Sequence, residues 1–199
     1  MRDFCARFSQ AGKTYYWNVT ENRETNLIAA ALNGDAESFS RLCEQHYPAL
    51  GAIAYSQLAD RGLAEDAAQE ALLVAYRDIA KLKEAGRFLP WLAAICRNTA
   101  IDMAKARARE KRAGTEDYSS VRDRRHNEDD TVALVREIIF RLDPDARDII
   151  LLRYYNGMTY EQIAAMLGVS EETVNGKLRR ARKTIRRELQ RRESMETEP

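Results

Sequence analysis

Apolar positions recur with helical spacing over most of the stretch from Asn26 to Leu189, and the breaks in that spacing divide the chain. Asp35 is placed to cap a helix running through Phe39 and Leu42 to Tyr47. From Leu63 the residues Ala68, Ala71, Leu72, Ala75 and Ile79 follow i, i+3, i+4, i+7, i+11, one face of a helix. A third helix is predicted from about Phe88, with Pro90 in its first turn, where a missing N–H costs little, and with Leu92, Ile95 and Ile101 on a broad apolar face. Met1–Thr25 carries Phe4, Phe8, Tyr15, Tyr16 and Trp17 without a period and receives no assignment. Between Ala108 and Asp130 the periodicity fails in the charged run KRAGTEDYSSVRDRRHNEDD, which reads as a linker.

Beyond the linker, Val135, Ile138, Ile139 and Leu142 form one stripe, and Asp143 caps a following helix with Pro144 at its first position and Gly157 at its end. The segment TYEQIAAMLGVSEETVNGKLRRAR carries the strongest local signal. Thr159 with Gln162 fits a capping box, Gly168 permits a tight turn, and Ser170 caps the next helix with Glu171 and Glu172 at its positive end. That helix buries Val174, Leu178, Ala181, Ile185 and Leu189. Two helices joined by a short glycine-containing turn describe a helix-turn-helix.

Composition changes this picture little until it is resolved along the chain. The 199 residues hold 32 basic and 31 acidic side chains, so the net charge of +1 says nothing about partners. Ser170–Arg192, however, holds nine Lys/Arg against three Glu, a local net charge of +6 on one helix. Its outward residues Asn175, Lys177, Arg179, Arg180, Arg182 and Lys183 suit DNA phosphates. Ser170, Glu171, Thr173 and Asn175 lie at the end that enters the major groove in such motifs. The same basic helix could be a solvated surface or lie on a membrane, but its exposed face lacks aromatic or leucine anchors.

No apolar run approaches the roughly 20 residues of a membrane span, and the N-terminus lacks the order of a signal peptide. Cys5, Cys43 and Cys96 are odd in number and widely spaced, which argues for free thiols rather than a disulfide framework or a zinc site. His46 and His126 are isolated, and no nucleophile–base, metal-ligand or phosphate-loop pattern appears. The expectation is a protein without enzymatic activity, cofactor or metal.

In AEDAAQEALLVAY, Asp66, Gln69 and Glu70 share a helix face opposite the Ala/Leu stripe, which by pattern alone is an ordinary solvated acidic face. This segment, followed by RFLPWLAAICRNTAIDMAKARAR, resembles the polymerase-binding and promoter-melting regions of extracytoplasmic-function (ECF) sigma factors of the sigma-70 family. DAAQEAL pairs with FxxWLxxIxRNxxxD, and both precede LDPDARDIILLRYYNGMTYEQIAAMLGVSEETVNGKLRRAR, similar to the promoter-reading end of that family. The resemblance covers about Leu27 to Leu189.

The resemblance implies an all-α fold of two small helical domains joined by a charged flexible linker, the second a helix-turn-helix (winged-helix-like sigma domain 4). It divides the chain into an extension over 1–25, sigma region 2 over 26–112, a linker over 113–130, sigma region 4 over 131–192 and a tail over 193–199. Asp66, Gln69 and Glu70 would face the clamp helices of the largest subunit of core RNA polymerase. Lys81, Lys83, Arg87 and Phe88, with Asn98, Asp102, Lys105 and Arg109, would hold the upstream melting element, and Arg107, Lys111 and Arg112 would follow phosphates. Trp91 reads as a core residue rather than a stacking platform. Ser170, Glu171, Thr173, Asn175, Lys177, Arg179, Arg180 and Arg182 would read the distal promoter element.

The recognition helix departs from the family's glycine–threonine–valine–lysine stretch by carrying Glu172, Thr173, Val174 and Asn175, then Gly176 inside the helix. The expected partners are core polymerase, promoter DNA and an anti-sigma factor, in the cytoplasm or held at the inner membrane face by that factor. The linker is expected to let the domains close on each other when free and so hide both DNA surfaces. A two-domain transcription regulator and a sigma-like decoy remain alternatives.

Overall fold

The structure is a computed structural model and describes residues 21–113 and 130–196. Its helices are α1 (Glu21–Leu32), α2 (Ala36–Leu58), α3 (Arg61–Asp78), α4 (Phe88–Ala113), α5 (Asp130–Arg141), α6 (Pro144–Tyr154), α7 (Tyr160–Leu167) and α8 (Glu171–Glu196). Two single 3₁₀ turns, Ile79–Lys81 and Ala85–Arg87, join α3 to α4. Among the described residues there is no strand.

Asp35 caps α2 as expected, its carboxylate accepting from the backbone N–H of Glu37 and Ser38. The helix does not stop at Tyr47. It continues through Pro48 to Leu58. A proline inside a helix removes one hydrogen bond and crowds the preceding turn, at about 3 kcal/mol. That cost is offset because the extension buries a continuous run from Ala49 to Ser56, including Leu50 and Ile53, both fully inaccessible. Ala59 then turns the chain in the left-handed region (φ 54°), and Asp60 caps α3 by accepting from Leu63 N–H at 3.1 Å.

The buried face of α3 is alanine: Ala64, Ala67, Ala68, Ala71 and Ala75. Small side chains let α3 lie close against α2 and α4, since interaxial distance follows the residues at the contact. Phe88, Leu92, Ala93, Cys96 and Ala100 supply the core face of α4. Helix α1 crosses α2 through Ile28 and Ala31, and Glu24 reaches the buried His46 at 3.1 Å. His46 is thus a core histidine, packed also against Phe88.

Two boundaries move. Residues 21–25, expected to be part of an unassigned extension, belong to α1, and α4 runs to Ala113, past the point where periodicity fades. The rest of that extension, most of the expected linker and His126 lie outside the described residues.

In the second half, Asp143 caps α6 through Ala146 N–H at 3.0 Å, with Pro144 in the first turn. Gly157 has φ +68° just beyond α6, and the Thr159–Gln162 capping box opens α7 with both of its hydrogen bonds formed. The two halves pack on each other. Helix α2 lies against α6, α4 lies against α7, and the apolar core runs through both.

Candidate nucleic-acid interface and docking face

Gly168 ends α7 in the left-handed region (φ +67°), and Ser170 Oγ accepts from Thr173 N–H at 3.2 Å to start α8. Val174, Leu178 and Ala181 are buried beneath α8, which turns the basic residues outward. Ser170, Glu171, Thr173, Asn175, Arg179, Arg180, Arg182 and Lys183 are all exposed on one helix. Ser170 and Thr173 also share a hydroxyl contact at 2.9 Å, so both serve the cap as well as the exposed end. Lys177 is different: it is half-buried, with Nζ 2.5 Å from Asp145 and 4.0 Å from Asp143 on the adjoining helix start. Farther along, Ile185 and Leu189 open onto an apolar cavity of about 470 Å³ walled by Val135, Ile139, Ile150 and Tyr154.

The loop before α4 and the outer side of α4 form a second basic region. Lys81, Lys83 and Arg87 are exposed, with Lys81 2.9 Å from Asp78. Asn98, Asp102, Lys105, Arg109, Lys111 and Arg112 are exposed along α4. Asp102 and Lys105 pair at 3.2 Å, and the half-buried Arg107 reaches Asp60 at 3.3 Å.

Phe88 must be corrected. It is only 1% exposed, packed between His46 and Trp91, so it stabilises the start of α4 instead of offering a ring to a base. Trp91 is half-buried against the core. The expectation that closure hides both DNA surfaces also fails, because the outer face of α8 stays exposed while the halves are packed together.

A third face lies on α3. Asp66, Gln69 and Glu70 are exposed together, and the next turns add Leu73 (65% exposed) and Tyr76 (55% exposed). Tyr76 is steadied by Phe39, with ring centroids 5.2 Å apart. Reading the sequence for a core missed both residues. The available signal was that Leu73 falls between positions of the alanine stripe and on the turn after Gln69 and Glu70. Large apolar side chains beside charges are the composition of a protein-binding surface.

Between the halves lies a polar cluster that no pattern announced. Asp148 of α6 has no solvent exposure. It is met by the Arg97 guanidinium of α4, with Nε 3.1 Å from Oδ2, and by the Ser56 hydroxyl of α2. Burial pushes the Asp148 carboxyl above the usual range, and Arg97 and Ser56 only partly oppose it. Burial likewise pushes up the thiols of the two described cysteines, Cys43 to about 11 and Cys96 to about 12. Among the described residues, no cluster of His, Cys, Asp or Glu could hold a metal ion, and no helix is long and apolar enough to cross a membrane.

Two family models match this architecture, sigma-70 region 2 over residues 42–110 and sigma-70 region 4 over residues 133–185. A protein of Xanthomonas campestris pv. campestris named "Probable RNA polymerase sigma factor RfaY" is 33% identical over 170 residues, covering 80% of this chain, which spans only 42% of that relative. The ECF RNA polymerase sigma factor SigM of Mycobacterium tuberculosis is 29% identical over 169 residues, covering 85% of this chain and 86% of SigM. Among solved structures, the Bartonella quintana sigma factor RpoE, crystallised with the anti-sigma factor NepR, shares the fold. Its TM-score is 0.52 at 24% identity, covering 78% of this chain and 98% of that one. Regions 2 and 4 lie in that order on helices that present two basic surfaces and one acidic–apolar face, and the chain belongs to the ECF sigma factors of the sigma-70 family.

Proposed function

We propose that the chain is an alternative sigma factor that binds core RNA polymerase, recognises both promoter elements and promotes strand separation at initiation. The observation that carries this reading is the separation of surfaces on one chain. The face of Asp66, Gln69, Glu70, Leu73 and Tyr76 is exposed on α3, apart from the basic outer face of α8.

The α3 face docks on the clamp helices of the largest polymerase subunit. Its carboxylates orient a basic partner and speed encounter, and its apolar residues supply contact area. The N-terminal turn of α8 enters the major groove of the distal element, with Arg179, Arg180 and Arg182 on flanking phosphates. Lys81, Lys83, Arg87, Asn98, Asp102, Lys105 and Arg109 hold the melted strand, whose unstacking costs a few kcal/mol recovered through phosphate and base contacts. The bond-making chemistry belongs to the polymerase, and the chain contributes no catalytic group.

The Bartonella quintana relative is held by an anti-sigma factor, and we infer the same kind of control here, in the cytoplasm. The test is association with core polymerase. Replacing Asp66 and Glu70 with Ala should abolish copurification with the core enzyme and leave duplex binding by α8 intact. Retained association would move the docking surface elsewhere.

A further inference from the structure

We propose that Gly176 marks the point where α8 comes closest to the base edges of the distal promoter element, and that Glu172, one turn earlier on the same stripe, selects a cytosine there. The proposal deepens, and rests on, the assignment of α8 as the reader of that element.

The two glycines of the helix-turn-helix differ in what requires them. Gly168 has two reasons within the chain: its φ is +67°, and a Cβ there would lie 3.1 Å from Cβ and Cγ of Pro90. Gly176 has neither. It sits inside α8 with φ outside the left-handed region. Beyond its chain neighbours and the helix's own nearby backbone, nothing comes within 4 Å of where a Cβ would stand. Glycine is the least favourable residue in a helix interior short of proline. Nothing in the free chain offsets that cost, so the compensation comes from what α8 binds.

Gly176 lies two residues from both Val174 and Leu178, which are buried. At about 100° per residue it therefore falls opposite the core. Glu172, Gly176, Arg179 and Lys183 follow one line, spaced i, i+4, i+7 and i+11, and the three side chains on it are exposed. This leading stripe carries a carboxylate, bare backbone and then two cations. A helix with its side chains is about 10–12 Å across, and the major groove is about 12 Å wide. With so little slack, each side chain on the leading stripe holds the helix axis off the groove floor. A bare position lets the backbone approach there and brings Glu172, one turn away, towards the base edges.

Glu172 points to the base. Between Ser170 and Arg192 stand nine Lys/Arg, and a carboxylate on the leading stripe of such a helix is repelled by phosphates. It has no hydrogen-bond or ion-pair partner among the described residues, so it steadies no neighbouring side chain. Its place in the first turn favours the helix dipole, but Glu171 supplies that as well. In the major groove cytosine presents an amino donor alone, which a carboxylate accepts. Guanine and thymine present acceptors that repel it, and adenine sets an acceptor beside its amino group.

The test is selection from a randomised duplex library by holoenzyme assembled from core RNA polymerase and the full chain, comparing wild type with Glu172→Gln, Gly176→Ala and Gly176→Leu. Wild type should enrich a distal element with one position where cytosine is favoured about tenfold. Glu172→Gln should shift that position alone towards adenine, whose donor and acceptor an amide meets together. Gly176→Ala should weaken binding to the enriched duplex about tenfold, and Gly176→Leu further, as base contacts are lost. Binding to unselected duplex should change less than about twofold, because phosphate contacts remain, and helicity by circular dichroism should be kept. A distal motif without a cytosine preference, a motif unchanged by Glu172→Gln, or Gly176→Leu binding as tightly as wild type would each overturn the proposal. Wild-type chain that fails to assemble with core polymerase, or assembles and enriches no sequence, would overturn the sigma-factor reading itself and the proposal with it.

Discussion

Asp145 and Asp148 stand one turn apart on α6 and are shifted in opposite directions, because one faces a lysine in solvent and the other is buried. Lys177 holds the Asp145 carboxyl below the usual range, and burial pushes that of Asp148 above it despite Arg97. The signs differ accordingly. A lowered carboxyl contributes stability above its unfolded pKa of about 3.9 and loses it as pH falls, whereas a raised one contributes below that value and loses it as pH rises through the folded pKa. Wild type should therefore gain on Asp145→Asn as pH rises through the ordinary carboxylate range, and only slightly, since Asp145 is 62% exposed. It should lose ground to Asp148→Asn over a higher pH window. Urea melts of the three proteins across pH check both slopes.

Gly176 lies inside α8, and beyond its chain neighbours and the helix's own nearby backbone nothing comes within 4 Å of where a Cβ would stand. Replacing it with Ala removes backbone freedom from the unfolded chain at no steric cost, so Gly176→Ala should stabilise by about 1 kcal/mol. A rise in Tm of roughly 2–4 °C is expected for a chain of this size. An unchanged or lower Tm would mean that α8 needs a bend at this position.

Leu73 contributes nothing to the core, so Leu73→Ala should change stability by less than about 0.5 kcal/mol. If it is the apolar centre of the docking face, the same change should weaken core-polymerase binding by tenfold or more. Titration by fluorescence anisotropy, beside a thermal melt, separates the two effects.

Arg179→Ala and Arg180→Ala should each weaken α8 binding to duplex regardless of sequence. Each should also lower the slope of log K against log salt by about 0.9 for every phosphate that is no longer neutralised. Lys177→Ala should move that slope less, because Asp145 already neutralises Lys177. Asn175→Ala, at the end proposed to reach base edges, should instead relax sequence preference. Binding isotherms at several salt concentrations distinguish the three.

The helix-turn-helix was legible in the sequence because its signals are local: Thr159 with Gln162, the glycine turn and the Ser170 cap each act within four residues. The acidic face of α3 was legible for a similar reason, since spacing alone places Asp66, Gln69 and Glu70 together. What escaped depends on tertiary packing. Pro48 is a local stop signal overridden by the burial of the ten residues after it, Ala49 to Leu58, most of them inaccessible. Phe88 at the mouth of α4 could face solvent or core on pattern alone, and only its packing against His46 and Trp91 decides. Arg97 and Asp148 carry no pairing signal, because their meeting is set by how the halves dock.

The most direct test of the sigma-factor reading is run-off transcription by core RNA polymerase on a library of genomic promoter fragments, with and without the purified chain. Discrete transcripts are expected that require the chain, start at fixed positions and disappear with the Asp66→Ala, Glu70→Ala double variant. Purified wild-type chain that gives no transcript from any fragment while binding duplex DNA normally would contradict that reading.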